Sequence, residues 1–316
     1  MRSRLMAAGS AGLVALAAGG AQAQGAADAY PAKPVTIIVA QTPGGPNDIE
    51  ARLYLGKMQG LLGQPFVLDF KPGAGSVIGT QYVARSAPDG YTLLLVAGAF
   101  TTLPALSAQP TYDAVKDFAP ISLMSQKPAV GMVNQQFAPK TFAEYIAYAR
   151  NNPGKLNVGT AGPGSTAHLM SAWMHNATNT TVTFIPYKGV APILPDLFTG
   201  RVDATVVTVL VAMPLLKANK VRVLAITDEK RSKLLPDLPT VAEQGIPGFA
   251  YSNWLGFVAP GPTPVGIVNK LSEAFAKVAK TPDVIATLEA DGTVLVGSTP
   301  AYFRQVIATE AVRWKK

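Results

Sequence analysis

The sequence predicts an α/β fold of two domains, each a mostly parallel sheet flanked by helices, with a hinge and a cleft between them. Three observations predict it. Strand-length apolar runs alternate with helical periodicity along most of the chain, the pattern of parallel sheets covered on both faces. Two strand-to-helix junctions far apart in the sequence are built alike, each a Gly/Pro loop that opens a helix. The 316 residues, 48% hydrophobic and only 15% charged, are enough for two cores of ordinary size.

The elements follow in order. A buried strand at residues 35–40 runs into an amphipathic helix at 47–62, stopped by Gly63. A strand at 66–70, a helix at 76–86, a turn at Pro88, Asp89 and Gly90, and a strand at 91–97 complete a first set. The second set starts with a strand at 130–134. Thr141 N-caps a helix at 142–151 that Pro153 and Gly154 end. Strands at 156–160, 182–187, 202–209 and 221–226 then alternate with helices at 165–176, 191–199 and 213–218. A Pro/Gly-rich stretch at 236–248 leads to a strand at 255–259 and two closing helices at 264–280 and 300–314. The chain is therefore expected to leave a first domain near Gln126 and return near Ser252. That gives a discontinuous domain of residues 30–126 and 253–316 and an inserted one of residues 127–252, with the ligand cleft between.

The twin junctions suggest the chemistry. One carries Thr42, Pro43, Gly44 and Gly45 ahead of its helix; the other carries Thr160, Ala161, Gly162, Pro163 and Gly164 ahead of Ser165 and Thr166. A helix start presents unpaired N–H groups and a partial positive charge, so it holds an anion without a cationic side chain. Glycine lets the backbone approach a ligand closely. Two such starts, one per domain, suit a small carboxylate gripped between lobes.

Composition narrows the choice. The formal charge of +8 favours anionic ligands, but the basic residues are scattered with no aromatic-interleaved stripe, which argues against nucleic acid. With no cysteine there is neither a disulfide framework nor a thiolate site. Arg2, Arg4, the apolar run at 5–20 and Ala21-Gln22-Ala23 have the form of a signal peptide cleaved after Ala23. Residues 1–23 are thus expected to be removed and the mature chain to work outside the cytoplasm, with residues 24–34 as a tether.

Several short matches, in this order, resemble the Bug family of periplasmic solute receptors associated with tripartite tricarboxylate transporters. They are Tyr30-Pro31-Ala32-Lys33-Pro34-Val35; Pro43-Gly44-Gly45 with Asp48, Ala51 and Arg52; Lys71-Pro72-Gly73-Ala74-Gly75 with Ile78-Gly79; and Ala87-Pro88-Asp89-Gly90-Tyr91. Lys116-Asp117-Phe118-Ala119-Pro120, Tyr187-Lys188-Gly189, Asp196-Leu197, Gly200 and Val202-Asp203 continue the series. The resemblance implies a type II-like periplasmic binding protein fold that closes on a carboxylic acid. It implies that backbone and hydroxyl groups at residues 42–45 and 160–166 hold the carboxylate, partly through water. It also implies delivery to membrane permease subunits, a monomer, no cofactor and no catalysis. Many members carry an acidic residue a few positions after the equivalent of Asp203, where this chain has Val206, Val207 and Thr208. A buried ammonium needs a carboxylate partner, so the ligand is expected to lack an amino group: an aromatic or aliphatic mono- or dicarboxylate.

Each candidate residue has a plainer alternative. Gly44 and Gly45 are either ligand contacts or turn glycines. Asp48 and Arg52, four apart, suit an ordinary helix ion pair. Ser165 and Thr166 cap their helix and can face the cleft as well. His168 is either a ligand contact or a structural residue, and His175 is assigned no role. Ser76, after Gly73, Ala74 and Gly75, is a third candidate wall. Phe100, Thr101 and Thr102 offer a ring and hydroxyls after the third strand, with core packing the alternative for Phe100. Trp254 is placed on the hinge side, and Tyr187, Val207 and Thr208 complete the expected pocket.

Rival functions fit less well. Gly73, Gly75 and Gly79 miss the dinucleotide spacing, and no acidic residue ends the next strand. Ser165 is outside a G-x-S-x-G elbow, and both histidines lie three and ten residues downstream on its own helix, unlike an exported hydrolase. Two histidines without acidic neighbours make a poor metal site. A periplasmic sensor feeding a signalling partner would use the same cleft, and the sequence leaves that alternative open.

Overall fold

The computed structural model describes residues 29–314 other than residues 42, 44, 45, 163, 164, 188 and 291, and omits the side chains of Pro46 and Thr166. The expected leader and its cleavage point lie outside the described residues, as do Thr42, Gly44 and Gly45.

The chain opens with β1 (Val35–Val39), α1 (Pro46–Leu62), β2 (Phe66–Phe70), α2 (Val77–Ala84), β3 (Thr92–Ala97), α3 (Ala99–Leu106) and the 17-residue β4 (Phe118–Asn134). It continues with α4 (Phe142–Asn151), β5 (Asn157–Thr160), α5 (Thr166–Ala177), β6 (Thr183–Pro186), α6 (Ile193–Thr199), β7 (Ala204–Thr208), α7 (Val209–Lys217) and β8 (Val221–Ile226). It closes with β9 (Ser252–Pro260), α8 (Val265–Val278), α9 (Pro282–Glu289), β10 (Val294–Leu295) and α10 (Pro300–Arg313).

Strand pairing runs without a break along β2-β1-β3-β9-β4-β7-β5-β6, yet this path consists of two sheets sharing one strand. In the first, β1, β2, β3 and β4 run one way, and β9 and β10 run against them. In the second, β5, β6, β7 and β8 run one way against β4. Residues 118–128 of β4 pair with β9, whereas from Ala129 onward β4 pairs with β7 and β8. The second passage between sheets lies beside the first. Thr227, fully buried, donates its hydroxyl to both Ala129 O and Tyr251 O, at 3.1 and 2.8 Å, and so clamps the two passages together.

Alternation along the strands explains why they read as continuous apolar runs. Val35, Ile37 and Val39 of β1 and Leu93 and Leu95 of β3 face one core with α1 and α8; Ile38, Leu94 and Val96 face another with α10. In the second sheet Ala204 and Val206 pack toward α4 and α5, and Val207 packs the opposite way, toward α6.

Four elements depart from the expected list: α3, the first half of β4, α9 and β10. Gly98 and Pro104 disguise α3. Pro104 has no N–H for the carbonyl of Phe100 one turn back, and the hydroxyl of Tyr112 donates to that carbonyl instead, at 3.0 Å. Helix α7 also starts four residues earlier than expected, at Val209.

Candidate ligand-binding site

Three helices start at one place. β1, β3 and β5 each end at the carboxyl edge of a parallel trio and pass into α1, α3 and α5, the position where open α/β sheets bind ligands. β9 runs antiparallel to β3 with Leu255 opposite Ala97, which brings the beginning of β9 to the same edge. The result is a cavity of about 180 Å³ between the two sheets. Gln41 and Asn47 border it from the first junction, and Ala97, Gly98, Ala99 and Thr102 from the second. Ser165 and Leu169 of the α5 region close it from the other sheet, with Tyr251 and Asn253 at the junction between them.

The lining is rich in neutral hydrogen-bonding groups and, among the described residues, contains no charged side chain. Ser165 accepts the N–H of His168 at 3.3 Å as the α5 cap, which leaves its hydroxyl proton to donate. Asn47 donates to Gln41 Oε1 at 2.9 Å, and the two amides retain further N–H donors. Gly98 is required by contact rather than by backbone angle: a Cβ there would overlap the Tyr251 hydroxyl and stand 3.4 Å from Asn253 Oδ1. Charges sit one layer back. Asp48 pairs with Arg52 at 2.7 Å across one helical turn. Buried Glu50 pairs with Lys127 of β4 at 2.5 Å and accepts from Tyr54 at 2.6 Å and from Ser125. Lys127 stands opposite Asn253 in the β4–β9 ladder.

Of the residues singled out in the sequence, the structure brings Thr102 and Ser165 to the cavity. Thr166 begins α5, its side chain being outside the description, and Pro43 is exposed in the loop before α1. Ser76 stands at the N-cap position of α2 without a side-chain cap hydrogen bond, and its carbonyl accepts from Thr80. Phe100 is turned into the core, where its ring packs with Tyr112 and Phe118 at 5.7 and 5.0 Å. Thr101 is buried and donates to Glu310 Oε2 at 2.8 Å, which also accepts from Trp254 Nε1 at 2.9 Å. Burial raises the Glu310 carboxyl above its ordinary range, opposed by these two donors.

In the second sheet, Thr160 is buried and its carbonyl accepts from Tyr187 N, with half-buried Ala161 just beyond. The Tyr187 hydroxyl donates to Asp196 at 2.6 Å; burial and then that carboxylate push its pKa up to about 12. Val207 is buried against α6, and Thr208 sits at the N-cap of α7. The His168 ring lies edge-on to Phe184 of β6, centroids 4.9 Å apart. His175 is held between Tyr145 and Thr180, at 3.0 and 2.7 Å, and burial lowers its pKa to about 4.

Gln41, Asn47, Gly98, Tyr251 and Asn253 were missed. That Thr102, rather than Phe100 or Thr101, faces the cavity is set by the helical rotation of α3, which a loop reading hides. Tyr251 and Asn253 arrive through the antiparallel return of β9, and no local signal marks that. Among the described residues no His/Cys/Asp/Glu group is arranged to hold a metal, and no helix is long and apolar enough to cross a membrane.

Residues 51–316 match the family described as "Tripartite tricarboxylate transporter family receptor". Protein BugT of Bordetella pertussis is 35% identical over 301 residues, which cover 95% of this chain and 92% of BugT. The structure of MatC from Rhodopseudomonas palustris with bound malate is similar at a TM-score of 0.76 and 33% identity, covering 90% of this chain and 99% of that one. R. palustris Rpa4515 with adipate gives 0.77 and 33%, covering 90% and 96%. The likeness includes the two-domain, type II-like arrangement of periplasmic binding proteins.

Proposed function

The chain belongs to the tripartite tricarboxylate transporter family of receptors, and on that footing we propose that it captures a small organic carboxylate without an amino group and presents it unaltered to permease subunits of such a transporter. One observation carries the reading: the starts of α1, α3 and α5 converge on one cavity whose described lining is uncharged. The positive dipole ends of three helices favour a carboxylate. An ammonium would find no carboxylate partner in that lining, a costly arrangement in a partly dry site. The malate and adipate of the two R. palustris neighbours, both free of amino groups, point the same way. In this reading residues 1–23 direct export and are removed. The lobes of residues 30–126 with 253–316 and of residues 127–252 close on the ligand about the Thr227 clamp, and the receptor acts as a monomer in the periplasm.

The test is a thermal-shift screen of mono- and dicarboxylates on the purified mature chain, followed by isothermal titration and recovery of the ligand. A ligand at a hundredfold excess over its Kd stabilises the fold by about 2.7 kcal/mol. No shift with any acid, or recovery of a chemically altered ligand, would overturn the proposal. Micromolar binding of aspartate or glutamate, with none of their amino-free counterparts, would overturn the clause about the amino group.

A further inference from the structure

The cleft continues past its polar end. Both α3 and α5 begin at the cavity and extend away from it, each with one stripe toward the gap. On α3 the stripe is Ala99, Thr102 and then Leu106; on α5 it is Ser165, Leu169, Ala172 and Trp173. Thr102 and Ser165 give the stripes a polar group near each helix start, and Leu106, Leu169, Ala172 and Trp173 are apolar further along, before Asn176 at the far end of the α5 wall. Leu169 borders both the polar cavity and a second, larger groove of about 700 Å³, closed on its far side by Val312, Arg313 and Trp314 at the end of α10. Leu106 and Val312 are 54% and 60% exposed, large apolar side chains held in water beside the site.

The aromatic wall is held in place before any ligand arrives. The Trp173 ring stacks on Phe249 with centroids 4.2 Å apart and meets Trp314 edge-on at 6.2 Å. The Arg313 guanidinium lies 5.0 Å from the centre of the Trp173 ring and is anchored by donating to Ala250 O at 2.8 Å. A rigid apolar surface continuous with a carboxylate cavity orders little on binding, which favours affinity for a ligand that spans both.

We infer that the ligand is an amphipathic acid, its carboxylate at the three helix starts and an extended apolar tail, aryl or polymethylene, lying past Leu169 between α3 and α5 against Trp173 and Trp314. This rests on the carboxylate reading above and adds the tail. From Ala99 to Leu106 the α3 wall rises about 10 Å at 1.5 Å per residue, which sets the tail length that remains covered. The occupant of the groove is the ligand's own tail, because the groove shares Leu169 and both helices with the head site.

Isothermal titration of the mature chain with unbranched acids from propanoate to decanoate, with phenylalkanoates and with succinate as a tail-less control, tests the inference. Kd is expected to fall about fourfold per methylene until the covered length is filled. Leu106→Gln changes an exposed residue, so folding is preserved. It should weaken the long acids at least fivefold and leave succinate and propanoate as in the wild type, and Trp173→Phe should act in the same direction. Equal affinity along the series, or long-chain binding indifferent to both substitutions, would overturn the tail while leaving a short-acid receptor intact. Failure of every acid, short and long, would overturn the carboxylate reading and the tail together.

Discussion

Replacing Gly98 by alanine tests the site at its tightest point. Gly98 has φ −47°, an angle any residue adopts, so the substitution adds no backbone strain. Its effect is steric. The new methyl group would overlap the Tyr251 hydroxyl, whereas the ring carbon bearing that hydroxyl lies at 3.7 Å, an ordinary contact. Tyr251 is only 3% exposed and its ring packs edge-on to Trp314 at 5.7 Å, so the side chain has little room to withdraw. Overpacking of this kind costs about 1–3 kcal/mol. Because the overlap is at the cavity wall, we expect the bound state to carry it, with Kd for the best acid of the screen rising about 5- to 150-fold. Titration calorimetry reads the affinity, and urea unfolding reads any share taken by stability. The geometry also specifies a rescue: Tyr251→Phe removes the one overlapping atom, so the double variant should recover most of the affinity that Gly98→Ala loses beyond Tyr251→Phe alone. Unchanged binding by Gly98→Ala, or a double variant no better than the additive sum, would refute the placement of Gly98 and Tyr251 in the ligand wall.

Three further outcomes are expected. Gly56 lies exposed inside α1 with nothing within 4 Å of an added Cβ, so Gly56→Ala should raise the urea midpoint by the equivalent of about 0.5–1 kcal/mol without affecting binding. His175 has its folded pKa lowered by burial from 6.5 to about 4, so the unfolded chain takes up the proton first. Its contribution is therefore complete above pH 6.5 and is lost as pH falls toward 4, a slope worth about 3 kcal/mol that His175→Gln should remove from the pH dependence of unfolding. Ser165→Ala deletes both the α5 cap and a hydroxyl donor to the ligand; about 1 kcal/mol of stability and a several-fold loss of carboxylate affinity are expected, while Ser165→Thr should retain most of both.

Much of the fold was legible where the signals are local. The strands at 66–70 and 221–226 have the bounds the apolar runs indicate, and Thr141 caps α4 by accepting from Glu144 N at 3.2 Å. The family suggested by Pro43-Gly44-Gly45 and the blocks after it is the one the chain matches. The first half of β4 was hidden because Ser122, Ser125 and Lys127 interrupt its apolar run. Ser122 donates to the carbonyl of Ser298, 176 residues away, while Ser125 and Lys127 are satisfied by Glu50 of α1. Nothing near Ser122 in sequence announces that partner, so a buried strand reads as a surface segment.

The same contrast divides the site. Ser165 could be read because a helix start is written in a few consecutive residues: glycines, a hydroxyl cap, then periodicity. Phe100, Thr101 and Thr102 were all expected at the pocket, and rotation about α3 decides which of the three neighbours faces the gap. In the helix, Phe100 turns to Tyr112 and Phe118, Thr101 to Glu310, and Thr102 alone meets the cavity. Tyr251 and Asn253 depend on something more remote, the register that sets Leu255 against Ala97. A slip of one residue in that pairing would exchange the faces of β9 and remove Asn253 from the cavity. The head of the site is thus specified by local helix chemistry and its wall by long-range strand register. Substitutions that shift the register of β9 should therefore abolish binding while leaving all three helix starts intact.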